Sequence, residues 1–236
     1  MVERGPLAVA VAQPVCRPGD VAANVAAHAD AVRTAGARLV VFPELSLTGY
    51  VLDAPAVDLD GGVLGLLVDA CAAAGVVAVV GAPIAEGVDR LIAMLEVSAT
   101  GVRVAYRKMC LGGDEPQFFR AGAAAGVVEV DGWRVGIGVC KDTRMAVHLD
   151  AVRGAGIDLY VAGLVHHRHE VGELEVRARR IAAQMRVPMA FASAAGDTGP
   201  VYPDAAGCSA IWDRDGSCVA ACGGSPGSVA HAVLVP

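Results

Sequence analysis

The sequence predicts an α/β layered sandwich built on mixed β-sheets. Three observations carry that reading. Short apolar runs rich in β-branched residues alternate with segments of helical period, the pattern of parallel strands joined by crossovers. At three places a turn signal joins neighbouring runs directly, which makes hairpins and therefore antiparallel pairs. Hydrophobic residues make up 55% of the 236 positions and charged residues 19%, while aromatics reach only 4%. Such a chain can bury a sizeable core, and that core must be built mainly from Ala, Val and Leu.

In chain order, Leu7 to Gln13 reads as a buried strand. Asp20 to Ala35 reads as a helix, with Val21, Val25, Ala29 and Val32 on one face. Arg38 to Phe42 is a second strand, ended by Pro43. Val63 to Ala74 is helical, and Gly75 stops it. Val76 to Val80 is an apolar β-branched run. Leu91 to Val97 and Val102 to Tyr106 pair around Thr100-Gly101. Val127 to Val130 and Trp133 to Val139 pair around Asp131-Gly132, the strongest local hairpin signal in the chain. Helical character follows from Met145 to Gly154. Ile157 to Ala162 is a strand, Gly172 to Arg186 a helix and Pro188 to Ala192 a strand. Ala206 to Trp212 and Ser217 to Ala221 flank Asp215-Gly216 as a last hairpin. Val229 to Val235 is expected to close a sheet. No stretch reads as a linker and no fixed-period repeat occurs, so residues 1–236 are expected to form a single domain.

Composition removes several function classes. Lys and Arg number 19 against 25 Asp and Glu, a formal net charge of -6. With no basic stripe, nucleic-acid binding is not expected. Mean hydropathy is +0.51, yet the longest uncharged stretches are broken by Gly223, Gly224, Pro226 and Gly227, or by Gly75, Gly81 and Pro83. Neither can run as a membrane-spanning helix. The opening residues, Met1 to Pro6, lack the pattern of a signal peptide. Seven cysteines without regular spacing argue against a disulfide framework and for a reducing, cytoplasmic compartment.

Three reactive residues sit just past the ends of apolar strands: Glu44, Lys108 and Cys140. Strand ends are where reactive groups converge in layered α/β folds. Taken singly, each has a plain structural reading: a solvated loop carboxylate, a charged sheet edge and a small core hydrophobe. Together they describe a mechanism. A thiol with an ordinary pKa of about 8.5 needs a base or a nearby cation to become nucleophilic at neutral pH. A carboxylate supplies the base. A lysine supplies the positive charge and stabilises an oxyanion when sulfur attacks a carbonyl or nitrile carbon. Gly136-Ile137-Gly138-Val139-Cys140 at a tight strand-to-helix turn would add the Lys141 backbone N–H as a second donor, as in a nucleophile elbow.

Several segments, in order along the whole chain, resemble those of the nitrilase or carbon–nitrogen hydrolase superfamily. Phe42-Pro43-Glu44-Leu45-Ser46-Leu47-Thr48-Gly49-Tyr50 is similar to the segment that carries the general base. Tyr106-Arg107-Lys108-Met109-Cys110-Leu111 is similar to the lysine segment. Glu115-Pro116-Gln117-Phe118-Phe119-Arg120-Ala121-Gly122 resembles the segment with a second glutamate, and Gly138-Val139-Cys140-Lys141-Asp142-Thr143-Arg144 the nucleophile segment. Ala178-Arg179-Arg180-Ile181 with Gln184 resembles a later helix, and Gly207 to Asp213 with Gly216 a hairpin near the end.

The resemblance implies a four-layer αββα sandwich with mixed sheets and a Glu44–Lys108–Cys140 triad, without metal or other cofactor. Glu115 would position Lys108 or the substrate. It implies hydrolysis of a small-molecule amide or carbamoyl C–N bond through a cysteine thioester. Nitrile hydrolysis, acyl transfer and a silent binding relative are the alternatives. The sequence departs from the family pattern at Lys141, at Met145-Ala146-Val147 where Pro-Glu is usual, and at Ala182-Ala183 where Glu-Asn is common. A homodimer is implied, with a smaller interface than usual because the chain ends at Pro236. Lys141, Arg144, His166 and His167 are expected to bind substrate and to favour one with a negative charge. Asp142 and Arg144 are expected to pair and fix the turn. His166, His167 and His169 have only Glu170 and Glu173 nearby, so no metal site is expected.

Overall fold

The fold is described from a computed structural model, in which residues 4–236 are described. Met1, Val2 and Glu3 of the opening segment lie outside those residues. Strand β1 (Leu7–Gln13) is followed by α1 (Val21–Thr34), β2 (Leu39–Val41), α2 (Gly65–Ala74), β3 (Val77–Glu86), β4 (Asp89–Ser98) and β5 (Gly101–Arg107). Next come β6 (Gly126–Val130), β7 (Trp133–Val139), α3 (Ala146–Gly154), β8 (Leu159–Leu164), α4 (Val171–Met185) and β9 (Met189–Ser193). The chain finishes with β10 (Ala195–Gly196), β11 (Ala205–Ala206), β12 (Ala210–Trp212), β13 (Cys218–Ala221) and β14 (Ser228–Leu234).

Two six-stranded mixed sheets form, in the orders β14-β1-β2-β3-β4-β5 and β13-β12-β9-β8-β7-β6. The members β1, β2 and β3 run parallel, as do β7, β8 and β9, and the outer pairs are antiparallel. Period-2 alternation sorts the side chains into three apolar layers. Leu7, Val9 and Val11 of β1 and Val135, Ile137 and Val139 of β7 belong to one core between the sheets. Ala10 and Ala12 of β1 turn the other way, toward Val25, Ala29 and Val32 of α1. Tyr160, Ala162 and Leu164 of β8 pack with Leu174, Ala178 and Ile181 of α4. Helices outside two facing sheets give the four-layer αββα sandwich.

Local chemistry explains the element ends. Asp20 caps α1 by accepting from the Ala23 N–H at 3.0 Å. Gly75 ends α2 in the left-handed region, φ 65°. Asp131 and Gly132 both have positive φ, 48° and 82°, the primed turn that the Asp-Gly pair predicts.

Two strand expectations need correction. The run from Val76 does not stop at Val80; β3 continues through Gly81 and Pro83 to Glu86 and pairs with β4. Pro83 is tolerated because the β2 ladder ends at Val79 and the loop residue Val57 beside Pro83 takes only its carbonyl, at 2.8 Å, so no N–H is needed there. The run Ala206 to Trp212 is two strands, because Gly207 and Cys208 both adopt left-handed backbone, φ 65° and 58°. Its first part, β11, pairs with β10 and its second, β12, with β9.

Gly81 sets how closely the sheet approaches the loop after β2. A Cβ there would lie 2.2 Å from the Pro43 carbonyl oxygen and 2.5 Å from the Leu45 nitrogen. Because both are backbone atoms, Gly81→Ala must displace the Pro43–Leu45 turn. The expected cost is about 1–3 kcal/mol, measured as a lowered urea midpoint with the slope unchanged.

Candidate active site

Glu44 follows β2, and its loop is fixed from both sides. Leu47 N–H donates to the Gly81 carbonyl at 3.0 Å. From the helical layer, Asn24 Nδ2 donates to the Leu47 carbonyl at 3.0 Å, and His28 Nε2 bonds Ser46 Oγ at 2.8 Å. Gly163 on β8 also permits a close approach, since a Cβ there would lie 2.8 Å from the Glu44 nitrogen. Glu44 is thereby held between the two sheets, 2% exposed.

Lys108 follows β5 and is 1% exposed. Its ammonium donates to Glu44 Oε1 and to Glu115 Oε1, each at 2.6 Å. Glu115 sits in a short helical turn, Glu115–Gln117. Its carboxylate also accepts from the Tyr50 hydroxyl at 2.7 Å and the Gly112 N–H at 2.7 Å. Glu115 is thus bonded to Lys108, Tyr50 and Gly112 and buried rather than solvated. The second oxygen of Glu44, Oε2, is buried and has no hydrogen-bond partner among the described residues.

Cys140 opens a helical turn, Cys140–Arg144, directly after β7. Its φ is 41°, the strained strand-to-helix geometry of an elbow. The strand before it must be thin: a Cβ at Gly138 would lie 2.1 Å from the Tyr160 hydroxyl. The thiol is directed to the Val165 carbonyl at 3.7 Å.

These groups share one electrostatic field. Burial raises the Glu44 carboxyl to about 8; Lys108 pulls it down and Glu115 pushes it up. Burial disfavours the charged Lys108, yet the neighbouring carboxylates Glu44 and Glu115 hold it above its ordinary range. Burial, then the Glu44 charge, pushes the Cys140 thiol up to about 12, against the pull of Lys108. The resting sulfur is therefore a thiol. The lysine alone does not make it a thiolate, so a base would be needed to take its proton if the sulfur is to act as a nucleophile.

A second buried network joins the lysine and cysteine segments. Asp142, fully buried, accepts from the Tyr106 hydroxyl at 2.7 Å, the Cys110 N–H at 2.9 Å and the Val139 N–H at 3.0 Å. His148 lies between the Tyr106 and Tyr160 hydroxyls, 3.1 Å from each. Asp142 does not pair with Arg144, as the sequence suggested. Arg144 turns outward, 3.4 Å from both Glu170 and Glu173.

The expected substrate-binding residues separate. Exposed Lys141 donates to the Leu111 carbonyl at 2.7 Å, tying the elbow to the lysine loop. His166 is buried, with Nδ1 3.0 Å from Ser193 Oγ and Nε2 unpartnered among the described residues. Burial lowers its pKa to about 4, so it is neutral at physiological pH. Half-buried His167 packs on Tyr202 at 4.5 Å between ring centroids, and Tyr202 packs edge-on against Tyr50 at 4.9 Å. Tyr202 lies within the field of Cys140 and Glu44. The sequence reading missed Tyr50, Tyr106, Tyr202 and buried Arg177. For Tyr106 a signal existed: it lies two residues before Lys108. Among the described residues no three His, Cys, Asp or Glu side chains gather as a metal site would need, and no helix is long and apolar enough to cross a membrane.

The Asp142 network generates a direct test. Asp142→Ala leaves one hydroxyl and two N–H groups without their acceptor, so it is expected to cost at least about 2 kcal/mol. Arg144→Ala, at an exposed site, is expected to change stability by less than about 0.5 kcal/mol. Urea denaturation of the two variants reads the contrast, and a large loss for Arg144→Ala would restore the expected Asp142–Arg144 pair.

This architecture has known counterparts. Over 97% of the chain it superposes, with a TM-score of 0.87 and 21% identity, on 90% of a CN-hydrolase superfamily protein of Xanthomonas campestris whose active site carries an arsenic adduct. Saccharomyces cerevisiae Nit3, of branch 10 of the nitrilase superfamily, superposes with a TM-score of 0.87 at 20% identity, over 98% of this chain and 91% of that one. An amidase of the nitrilase superfamily from Nesterenkonia does so at 0.83 and 23% identity, over 100% of this chain and 93% of its own. At these identities the likeness concerns the fold. In sequence, a Pseudomonas protegens protein described as the hydrolase in the pqqF 5′ region is 32% identical over 196 residues, 77% of this chain and 68% of that protein. The model of the carbon–nitrogen hydrolase family matches residues 8–233, nearly the whole of the sandwich and every segment described above: the chain belongs to the carbon–nitrogen hydrolase family.

Proposed function

We propose that the chain hydrolyses the C–N bond of a small amide or carbamoyl compound through a thioester on Cys140. The observation that carries this reading is the buried Lys108 ammonium, held 2.6 Å from both Glu44 and Glu115 and within the field of the Cys140 sulfur. Nothing in packing calls for such a group. Burying one cation with two carboxylates costs solvation that apolar side chains would not incur. The amide class is supported by the Nesterenkonia amidase, whose active-site cysteine carries the acetamide moiety of fluoroacetamide in one structure.

In this mechanism Glu44 takes the Cys140 proton as sulfur attacks the carbonyl carbon. The Lys108 ammonium and the Lys141 backbone N–H stabilise the oxyanion. The protonated Glu44 gives its proton to the departing nitrogen, and ammonia or an amine leaves a thioester. A water molecule then attacks the thioester carbon. Glu44 accepts the water's proton, the carboxylic acid leaves, and the sulfur regains its proton. A carboxyl raised to about 8 suits both directions of transfer. Glu115 keeps Lys108 in place and takes no proton. We further propose a cytoplasmic homodimer of single-domain subunits; a monomeric mass by light scattering at micromolar concentration would refute the dimer.

A panel of amides, carbamoyl compounds and nitriles, read by ammonia release, tests the class of reaction. Cys140→Ala is expected to abolish turnover with the fold intact, while Cys218→Ala, at an exposed site far along the chain, keeps it. A tenth of wild-type activity in Cys140→Ala would exclude the thioester route. Lys108→Met is expected to lower kcat by at least about 10²–10³; a raised KM at normal kcat would assign it to ground-state binding.

The pH profile gives a second measure. Glu44 must be ionised to act as base, and its carboxyl is raised to about 8 while the thiol that must keep its proton until attack is raised to about 12. The value of kcat/KM is therefore expected to rise as pH passes through about 8. A flat profile between pH 6 and 9 would remove Glu44 from the base role.

A further inference from the structure

We propose that His148 is a positioning residue for Cys140: a neutral ring with its proton on Nδ1, it closes a one-way series of hydrogen bonds, Tyr160 to His148 to Tyr106 to Asp142, that holds the cysteine turn against the lysine segment. Its effect on turnover rests on the hydrolysis proposed above; the tie itself does not.

Counting donors gives the direction of every proton. All four side chains are buried. The Tyr106 hydroxyl has a single proton, and it goes to Asp142 Oδ2 at 2.7 Å. Its oxygen also accepts from the Met109 N–H at 3.0 Å. A further bond to that oxygen must bring its own proton, so His148 Nδ1, 3.1 Å away, carries one. In a neutral imidazole the other nitrogen is then bare. Nε2, 3.1 Å from the Tyr160 hydroxyl, accepts from it. An imidazolium would present donors on both sides. The Tyr160 proton, which has no other acceptor among the described residues, would then be unpaired in the core. Burial favours the neutral ring too, lowering its pKa against the pull of Asp142.

The tie ends where it can act on the sulfur. Asp142 stands two residues after Cys140, and its other bonds come from the Val139 N–H, just before Cys140, and from the Cys110 N–H, two residues after Lys108. Tyr106 stands two residues before Lys108. One carboxylate thus grips both the turn of the cysteine and the loop of the lysine. Cys140 holds φ at 41°, and such backbone persists only where its surroundings over-determine it. Strand β7 also rests on the tie: a Cβ at Gly138 would lie 2.1 Å from the Tyr160 hydroxyl and 3.0 Å from His148 Nε2. The members come from β8, α3, β5 and the turn after β7, with β5 in one sheet and β7 and β8 in the other. Hydrogen bonds that all run the same way polarise and strengthen one another. Packing does not call for a histidine here. A phenylalanine would fill the same space without two buried polar atoms that need partners.

Nitrogen NMR of the full chain carrying isotope-labelled histidine tests the tautomer without any substrate. Near neutral pH, the signal that His148→Gln removes is expected to be a neutral ring with its proton on Nδ1. A proton on Nε2, or an imidazolium, overturns the proposal. Two variants then separate the tie from packing. His148→Gln keeps one donor and one acceptor on the side chain; His148→Phe keeps a ring and loses both. His148→Phe is expected to lower kcat by at least about tenfold with KM little changed, and His148→Gln to stay within about threefold of wild type. Packing alone predicts the opposite order, and that order overturns the proposal. If no amide is turned over, or if Cys140→Ala keeps its activity, the hydrolysis reading fails separately. The same order is then expected in the rate at which iodoacetamide labels Cys140, slowest in His148→Phe. Equal labelling in wild type and both variants overturns the proposal. Should His148→Phe fail to fold, the tautomer and the His148→Gln rate decide.

Discussion

The structure is organised around one buried ammonium shared by two buried carboxylates. Lys108, Glu44 and Glu115 come from three separate segments and are each 2% exposed or less. Removing Lys108 would leave two buried carboxylates between the sheets without a cation, and breaking a buried pair in this way typically costs about 3–5 kcal/mol. The surroundings therefore serve to complete the trio. Tyr50 and Gly112 occupy the remaining acceptor sites of Glu115. Asn24 and His28 reach through the helical layer to hold the loop of Glu44. What is left over is one carboxylate oxygen, Glu44 Oε2, buried and unpartnered among the described residues, the atom that the proposed mechanism uses as proton acceptor.

The second buried network explains why cysteine and lysine keep their relation. Asp142 belongs to the turn of Cys140 but takes its hydrogen bonds from Tyr106 and Cys110 on the lysine strand and loop. Lys141 adds an outer tie to Leu111. The two segments come from different sheets, so side chains rather than a ladder must hold them in register. Lys141, the residue after Cys140, therefore has its ammonium on a backbone carbonyl of the lysine loop.

Local signals made most of the framework readable in advance. β1 is recognisable as an uninterrupted apolar run, α2 by its glycine stop, and the β6–β7 hairpin by Asp131-Gly132. Glu44, Lys108 and Cys140 were legible because each stands where an apolar strand ends. The two-sheet partition came from resemblance, since periodicity within one strand does not say which sheet it joins. Gly81 and Pro83 concealed the second half of β3, because a proline on a strand edge lined by a loop and one in a turn look alike in sequence. Tyr50, Tyr202 and Arg177 were invisible for another reason. Each matters through contacts with residues far along the chain, and their own neighbourhoods look ordinary.

The pairing of β1 with β14 has a consequence for how the protein is made. Leu7 faces Leu234 and Gln13 faces Ser228, so β1 must wait until β14 has been made to obtain one of its two neighbours. Until then a strand buried on both faces presents an open, apolar edge, the kind that recruits other chains. Contacts of such sequence separation also slow the search for the native state. Nascent protein should therefore depend on chaperone cover until β14 has emerged, and loss of β14 would be felt first as aggregation during expression rather than as a loss at the distant sulfur.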